Sequence, residues 1–292
     1  MILAGLMLAS GMLPAESISS GGLERRYLLS LPSGKGPWPL LIALHGGGGK
    51  AEGMEKLTGL GKLGKEEGFA VAFPDGIDKS WNDGRGDFKQ GDADDVGFIA
   101  DLRQKLVAGG VAEPSRSYLC GISNGGMMTL RMACEKTGLF AAAGVVSMSM
   151  SASRECQPSG KLPICFINGD SDPIVPFGGG PIKLFKFGRE RGRVISVAKS
   201  IDFWVAQNGA AKAPDLQSLP DTDPEDGTRV ELRRYAGQNG GPEVLAYTVL
   251  GGGHAWPGGW PYAGKWLIGR VSRDLNASRA LWDFFKDKRR IP

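Results

Sequence analysis

Histidine is scarce in this chain: His45 and His254 are the two that occur among 292 residues. Cysteine is scarce too, with four residues and no CxxC pair. Zinc sites are built from clustered cysteine and histidine ligands, so we expect no metal centre. A reaction that needs an imidazole base therefore has two candidates.

Long apolar runs are missing after the first residues, so no stable membrane insertion is expected. The opening run, MILAGLMLASGMLPA, is typical of a secretory signal peptide cleaved near Ala15. It lacks the usual basic start, which indicates a truncated signal within residues 1–20; the alternative is an N-terminal helix packed on the domain. We expect a secreted or periplasmic protein.

Neither sign of charge dominates, since 35 basic and 31 acidic residues give a net charge of +4. The one basic cluster, Lys286–Arg290, is typical of a solvated helix end, where cations also suit the helix dipole. The sequence has no basic stripe with interleaved aromatic residues, so nucleic acid is not an expected partner.

Short apolar runs alternate with longer segments of helical periodicity. This alternation is typical of parallel strands that helices cover on both faces. It predicts an α/β fold with a mostly parallel sheet of about eight strands, in a single catalytic domain over residues 21–292. Strands are predicted at residues 28–31, 40–44, 69–73, 117–120, 142–147, 164–167, 230–235 and 244–250. Helices are predicted at residues 52–66, 96–107, 124–134, 194–207 and 274–285.

The strongest motif is Gly121-Ile122-Ser123-Asn124-Gly125, which matches G-x-S-x-G between a predicted strand and a predicted helix. In that context the nucleophile elbow of the α/β-hydrolase fold exposes a serine hydroxyl at the sheet edge. The helix N-terminus favours negative charge that develops there. Ser123 is the predicted nucleophile, and the N–H of Asn124 is a predicted oxyanion donor.

A serine hydroxyl needs a base to remove its proton. His254 follows the last predicted strand, in a glycine-rich loop that can carry an imidazole to Ser123. His45 precedes Gly46 and Gly47 after an early strand, which is the place and composition of an oxyanion-hole loop. We predict His254 as the base, Gly46 or Gly47 as the second oxyanion donor, and a structural role for His45.

The third catalytic group is expected to be an acid between Ser123 and His254 in the chain. The segment 168–173, Asn-Gly-Asp-Ser-Asp-Pro, follows a predicted strand and offers two carboxylates. Asp172 is favoured because the proline after it pushes its backbone toward extended geometry. Asp170 remains a competing candidate. The acid would orient the imidazole and stabilise the imidazolium.

Three tryptophans near these motifs have two interpretations each. Trp81, Trp256 and Trp260 either contact substrate, since rigid aromatic faces bind at little entropic cost, or pack under loops.

The cysteines differ in their surroundings. Cys120 and Cys165 lie in apolar strands and are expected to be buried thiols. Cys134 and Cys156 lie at a predicted helix end and in a loop, and we expect a disulfide between them in an exported protein.

Six segments together carry a resemblance to a known family. They are residues 44–48 (LHGGG), 80–82 (SWN), 94–98 (DDVGF), 121–127 (GISNGGM), 169–176 (GDSDPIVP) and 253–258 (GHAWPG). As a set they resemble the polyhydroxybutyrate depolymerase-like esterases, which include feruloyl and acetylxylan esterases, over residues 24–287. The resemblance implies a secreted α/β-hydrolase serine esterase with Ser123, Asp172 and His254 as its triad. One departure is Asn168-Gly169-Asp170, where members often have His-Gly-Thr, which adds the competing carboxylate.

The expected reaction is hydrolysis of a carboxylic ester through an acyl-enzyme, with no metal or organic cofactor. The expected substrate is a polyester or a feruloylated or acetylated polysaccharide fragment. The alternatives are an acetylxylan or general small-ester carboxylesterase, a peptidase on the same fold, and a non-catalytic binding protein.

Overall fold

The computed structural model describes residues 13–86, 93–184 and 188–290, and within them ten strands form one sheet and two form a separate hairpin. In chain order the strands are β1 (Ala15–Ser20), β2 (Leu23–Ser30), β3 (Trp38–Leu44), β4 (Ala70–Pro74), β5 (Ala112–Ile122), β6 (Ala142–Val146), β7 (Ile164–Gly169), β8 (Gly180–Lys183), β9 (Glu190–Val194), β10 (Asp215–Ser218), β11 (Arg229–Tyr235) and β12 (Val244–Leu250). The hairpin pairs β8 with β9.

The large sheet has the order β1-β2-β4-β3-β5-β6-β7-β12-β11-β10. Its centre, from β4 to β12, is parallel throughout, and antiparallel pairs extend both ends. This confirms the predicted α/β-hydrolase fold, with more strands than the eight expected. The additional edge strands β1 and β10 are mostly polar and carry little hydrophobic signal.

Seven α-helices are described: α1 (Ala51–Thr58), α2 (Leu60–Glu67), α3 (Asp95–Ala108), α4 (Asn124–Glu135), α5 (Val197–Asn208), α6 (Lys265–Ile268) and α7 (Ala277–Phe285). The helix predicted over residues 52–66 is divided in two, because Gly59 adopts a left-handed conformation (φ 61°) between α1 and α2.

Successive residues of the strands point to opposite faces of the sheet and belong to two apolar cores, one on each face. Leu40 and Ile42 belong to the core that also contains residues of α3, α4 and α5. Leu41 and Ala43 belong to the core that contains residues of α1, α2 and α7. Burial of each large side chain stabilises the fold by roughly 1.5–3 kcal/mol. Helices thus cover both faces of the sheet, and the loops at the strand ends are anchored to this packed sheet.

The predicted leader overlaps the sheet. β1 pairs with β2 over its whole length, and the Ser20 hydroxyl donates to the Asp101 carboxylate at 2.6 Å. Residues 15–20 of the predicted leader therefore belong to the sheet. Residues 1–12 of the predicted leader lie outside the described residues. No helix within the described part of the chain is long and apolar enough to cross a membrane.

A disulfide joins Cys134, near the end of α4, to Cys156. This confirms the predicted pairing. Cys120 and Cys165 are buried thiols, also as predicted.

Candidate active site

Ser123 lies at the turn between β5 and α4, with φ 56° and ψ −122°. A positive φ is strained for a residue other than glycine and persists where the surroundings impose it. A Cβ atom on Gly121 would lie 2.3 Å from the Gly125 carbonyl oxygen, and one on Gly125 would lie 2.4 Å from the Leu44 carbonyl oxygen. The turn therefore requires both glycines of the motif.

His254 and Asp172 meet from the loops that follow β12 and β7. His254 Nδ1 lies 2.7 Å from Asp172 Oδ2, and both side chains are 3% exposed. Asp172 Oδ1 accepts hydrogen bonds from the backbone N–H groups of Ile174 and Val175, each at 2.8 Å. Both carboxylate oxygens are therefore engaged, and the ring keeps Nε2 for another partner.

Ser123 and His254 line the same cavity, and no hydrogen bond joins their side chains. Catalytic hydrogen bonds of this kind often form fully only when substrate binds.

Asp170 has a different partner. Its Oδ1 accepts hydrogen bonds from the Gly251 N–H at 2.7 Å and from the Ser171 hydroxyl at 3.0 Å. It therefore holds the turn after β12. Of the two carboxylates that compete in the sequence, the structure pairs Asp172 with His254.

His45 is buried in the loop after β3. Its Nδ1 donates to the Gly46 carbonyl oxygen at 2.8 Å, and its Nε2 accepts from the Gly76 N–H at 3.0 Å. Burial lowers the pKa of His45, which favours the neutral ring. Because backbone groups occupy both ring nitrogens, His45 shapes the loop and is unavailable to Ser123.

The three predicted oxyanion donors lie beside the nucleophile. A Cβ atom on Gly46 would lie 3.4 Å from Ser123 Cβ, and one on Gly47 would lie 3.7 Å from Asn124 Cβ. The N–H groups of Gly46 and Gly47 have no acceptor within residues 13–86, 93–184 and 188–290. The Asn124 N–H is the first of α4, where helical N–H groups have no intrahelical acceptor.

An open cavity of about 390 Å³ joins Ser123, Asn124 and His254. Its apolar wall consists of Leu57, Ile122, Ile174, Ile182, Leu184, Leu267 and Ile268. Arg85, Arg191 and Tyr262 also line the cavity, together with the glycines at 46–49 and 53. The sequence did not predict this wall, because its residues come from distant loops and short elements without a periodic pattern.

Tyr262 holds the backbone of His254 by a hydrogen bond. Its hydroxyl donates to the His254 carbonyl oxygen at 2.8 Å, and burial raises the pKa of the phenol. Tyr262 therefore remains a hydrogen-bond donor across the ordinary pH range.

The prediction of substrate contact is wrong for two of the three tryptophans. Trp81 and Trp256 are 0% and 1% exposed and do not line the cavity. The Trp81 indole donates to the His45 carbonyl oxygen at 2.9 Å, and the Trp256 indole donates to Ser278 Oγ at 3.0 Å. Both rings fill space beneath loops and hold them.

Trp260 is different, since it is 58% exposed. Its backbone N–H donates to the carbonyl oxygen of Leu57, which is a cavity residue. Trp260 therefore borders the cavity without lining it.

No group of three or more histidine, cysteine, aspartate or glutamate side chains in the described ranges is arranged to hold a metal ion.

Comparison with known proteins identifies the family to which the chain belongs. A family model described as the prolyl oligopeptidase family matches residues 62–161. The protein named "Putative esterase NocK" from Nocardia uniformis subsp. tsuyamanensis is 32% identical over 285 residues, which cover 92% of this chain and 81% of that protein. The chain belongs to the polyhydroxybutyrate depolymerase-like family of α/β-hydrolase serine esterases. The esterase is accordingly a carboxylic ester hydrolase.

Two further relatives match over part of their length. Feruloyl esterase C of Emericella nidulans is 26% identical over 53% of the esterase and 58% of its own chain. Poly(3-hydroxyalkanoate) depolymerase C of Paucimonas lemoignei is 25% identical over 75% of the esterase and 55% of its own chain. An acetyl xylan esterase from Aspergillus awamori shares the fold, with a TM-score of 0.58 at 16% identity over 83% of the esterase and 94% of its own chain.

Proposed function

We propose that the esterase works through an acyl-enzyme on Ser123. The observation that carries this proposal is the His254–Asp172 contact of 2.7 Å beside a serine in a strained turn. His254 removes the Ser123 proton as the oxygen attacks the ester carbonyl. The N–H groups of Asn124 and of Gly46 or Gly47 bind the oxyanion. His254 then protonates the leaving alcohol. In the second half of the reaction His254 removes a proton from water, the water attacks the acyl-enzyme, and Ser123 leaves with the proton as the acid is released.

The direct test is turnover by purified Ser123→Ala. Activity should fall by several orders of magnitude with the melting temperature unchanged, because triad members act as a unit. Turnover near that of the parent in a folded sample would contradict the mechanism.

We also propose that the ester belongs to a chain that continues beyond the cavity, as in a hydroxyalkanoate polyester or a feruloylated polysaccharide. The support is a set of three exposed aromatic side chains in the segment after His254. Trp260 and Tyr262 lie in the loop and Trp266 lies in α6, and they are 58%, 48% and 80% exposed. Tyr262 lines the cavity, and Trp266 precedes the cavity residue Leu267. Exposed aromatic groups near an apolar cavity are suited to binding rings and aliphatic chains. The relatives named for feruloyl esters and hydroxyalkanoates act on such compounds, by their names.

A rate panel of methyl ferulate, acetylxylan, hydroxybutyrate oligomers and p-nitrophenyl acetate tests the substrate class. The double variant Trp260→Ala/Trp266→Ala should raise KM for the preferred long substrate and leave p-nitrophenyl acetate turnover nearly unchanged. Leu216→Ala, which removes an exposed apolar side chain on β10, is the matched control. Equal loss on both substrates, or preference for the short ester, would favour a general small-ester carboxylesterase.

We propose that the esterase is exported and that its single catalytic domain begins near β1. The Cys134–Cys156 disulfide supports export, since disulfides persist in oxidising compartments. N-terminal sequencing of protein recovered from a periplasmic fraction should show a new terminus close to Ala15. An intact leader on cytoplasmic protein with four thiols would contradict export.

A further inference from the structure

A buried ion pair lies next to the nucleophile turn, and the proposed mechanism does not use it. Arg85 Nη2 donates to Asp83 Oδ2 at 2.6 Å, and Arg85 Nε contacts both carboxylate oxygens at 3.0 and 2.9 Å. The two side chains are 2% and 0% exposed. Burying two charges carries a large desolvation penalty, and apolar residues could often fill such a space with equal stability. Stability alone therefore does not account for the pair.

The third partner of this pair is the residue after the nucleophile. Asn124 Nδ2 donates to Asp83 Oδ2 at 2.6 Å and to the Trp81 carbonyl oxygen at 3.0 Å. Asn124 Oδ1 accepts from the Trp81 N–H at 2.7 Å. Three hydrogen bonds thus fix the side chain of the residue whose backbone N–H adjoins Ser123.

We propose that Asp83 is a positioning residue, whose carboxylate holds Asn124 so that the Asn124 N–H is aimed at the oxyanion. This inference rests on the proposed function, in which that N–H binds the oxyanion. Arg85 supplies the charge that allows the carboxylate to be buried. Oxyanion donors act through placement, and a displacement of about 1 Å at a reacting centre can lower the rate on the order of 10²-fold.

Arg85 also connects this network to the cavity wall. It lines the cavity, and its Nη1 donates to the Arg191 carbonyl oxygen in β9 at 3.1 Å. A substitution of Arg85 is therefore expected to change KM, whereas loss of the Asp83 acceptor is expected to change kcat.

Two double variants test the proposal by removing both charges of the pair. Asp83→Ala/Arg85→Gln lacks the acceptor for Asn124, whereas Asp83→Asn/Arg85→Gln retains an oxygen in its place. The first should lower kcat by roughly 10- to 100-fold. The second should recover most of that loss while sharing the same change in KM. Melting temperatures are compared so that the kcat values refer to folded protein.

Binding of phenylboronic acid, which forms a tetrahedral adduct on a catalytic serine, separates positioning from a general structural defect. Its affinity should fall with kcat/KM in the alanine variant and recover in the asparagine variant. The pH at which kcat/KM falls to half of its maximum on the acid side should be the same in all variants. Equal kcat in the two double variants, or equal boronate affinity, would overturn the inference.

Ser123→Ala is assayed beside them. If Ser123→Ala keeps its turnover, the proposed function fails; if it is inactive while the two double variants match each other, the positioning role of Asp83 alone fails.

Discussion

The two histidines of the esterase occupy similar places and have different partners. His45 follows β3, His254 follows β12, and each is 2% exposed in a glycine-rich loop. Backbone groups engage both ring nitrogens of His45, whereas His254 contacts the Asp172 carboxylate through Nδ1 alone. The two histidines are therefore alike in burial and in position. The contact with a carboxylate is what suits His254, and not His45, to accept a proton.

The electrostatic surroundings support the same distinction. Burial lowers the pKa of His45, and the hydrogen bond to Gly46 and the charges of Asp75 and Asp95 oppose this only in part. An imidazolium at position 45 would be poorly compensated. At position 254 the Asp172 carboxylate contacts the ring directly, at 2.7 Å.

Removal of each imidazole ring in turn should give the largest difference between His254 and His45. His254→Ala should lower kcat by about 10⁶-fold, as expected when one member of a triad is lost. His45→Gln keeps a donor and an acceptor for Gly46 and Gly76, so it should lower kcat far less. Steady-state rates on p-nitrophenyl acetate measure both, and a greater loss in His45→Gln would reverse the assignment.

The carboxylates give the next largest contrast. In Asp172→Asn the amide oxygen can still accept from Ile174 and Val175, but the amide N–H₂ opposes the ring N–H of His254. The wrong tautomer is then favoured, and kcat should fall on the order of 10⁴-fold. Asp170→Asn should affect kcat much less, since Asp170 holds the Gly251 turn. If Asp170→Asn had the greater effect on kcat, the pairing of acid and base would be wrong.

The sequence predicted the parts of this site that are local. The elbow, the acid loop and the base each follow an apolar strand directly, so motif and position agree. The roles of Trp81 and Trp256 depend on which loops fold over them, and no local pattern encodes that. The Asp83–Arg85 pair was also missed, because two opposite charges two residues apart are usually solvated.

The same limit applies to the fold. The central strands are continuous apolar runs and were predicted, whereas the polar edge strand β10 is defined by its pairing with β11. The hairpin β8–β9 lies in a segment rich in glycine and proline and has an irregular register. The sequence therefore predicts no strand there.

Within the described residues, a disulfide links the helix that follows Ser123 to a neighbouring loop, and none links the loop that carries His254. The Cys134–Cys156 disulfide closes a separation of 22 residues at the far end of the helix that begins after Ser123. Cys134→Ser/Cys156→Ser should lower the free energy of unfolding by roughly 3 kcal/mol in the chain-entropy model. Urea denaturation measures this, and kcat of the folded variant should change little. An unchanged midpoint would show that the disulfide does not stabilise the fold.

The smallest expected effect concerns His45 and pH. An unfolded histidine has a pKa of about 6.5, whereas burial lowers the folded value, so the unfolded state binds more protons as the pH falls below about 6.5. The stabilising contribution of neutral His45 is present above that pH and is lost below it, by at most about 1.4 kcal/mol per pH unit. His45→Gln should make the fall in unfolding free energy between pH 6.5 and 5 shallower. An equal slope in both proteins would contradict this linkage.

The acyl-enzyme itself provides the most direct test of the mechanism. The esterase is mixed with a slowly released p-nitrophenyl ester, quenched in acid during turnover, digested and mapped by mass spectrometry. The account predicts one acylated peptide, modified at Ser123, which is absent from Ser123→Ala and accumulates when deacylation limits the rate. Acylation at another residue, or full turnover with no acyl peptide detected after a measured burst, would contradict it.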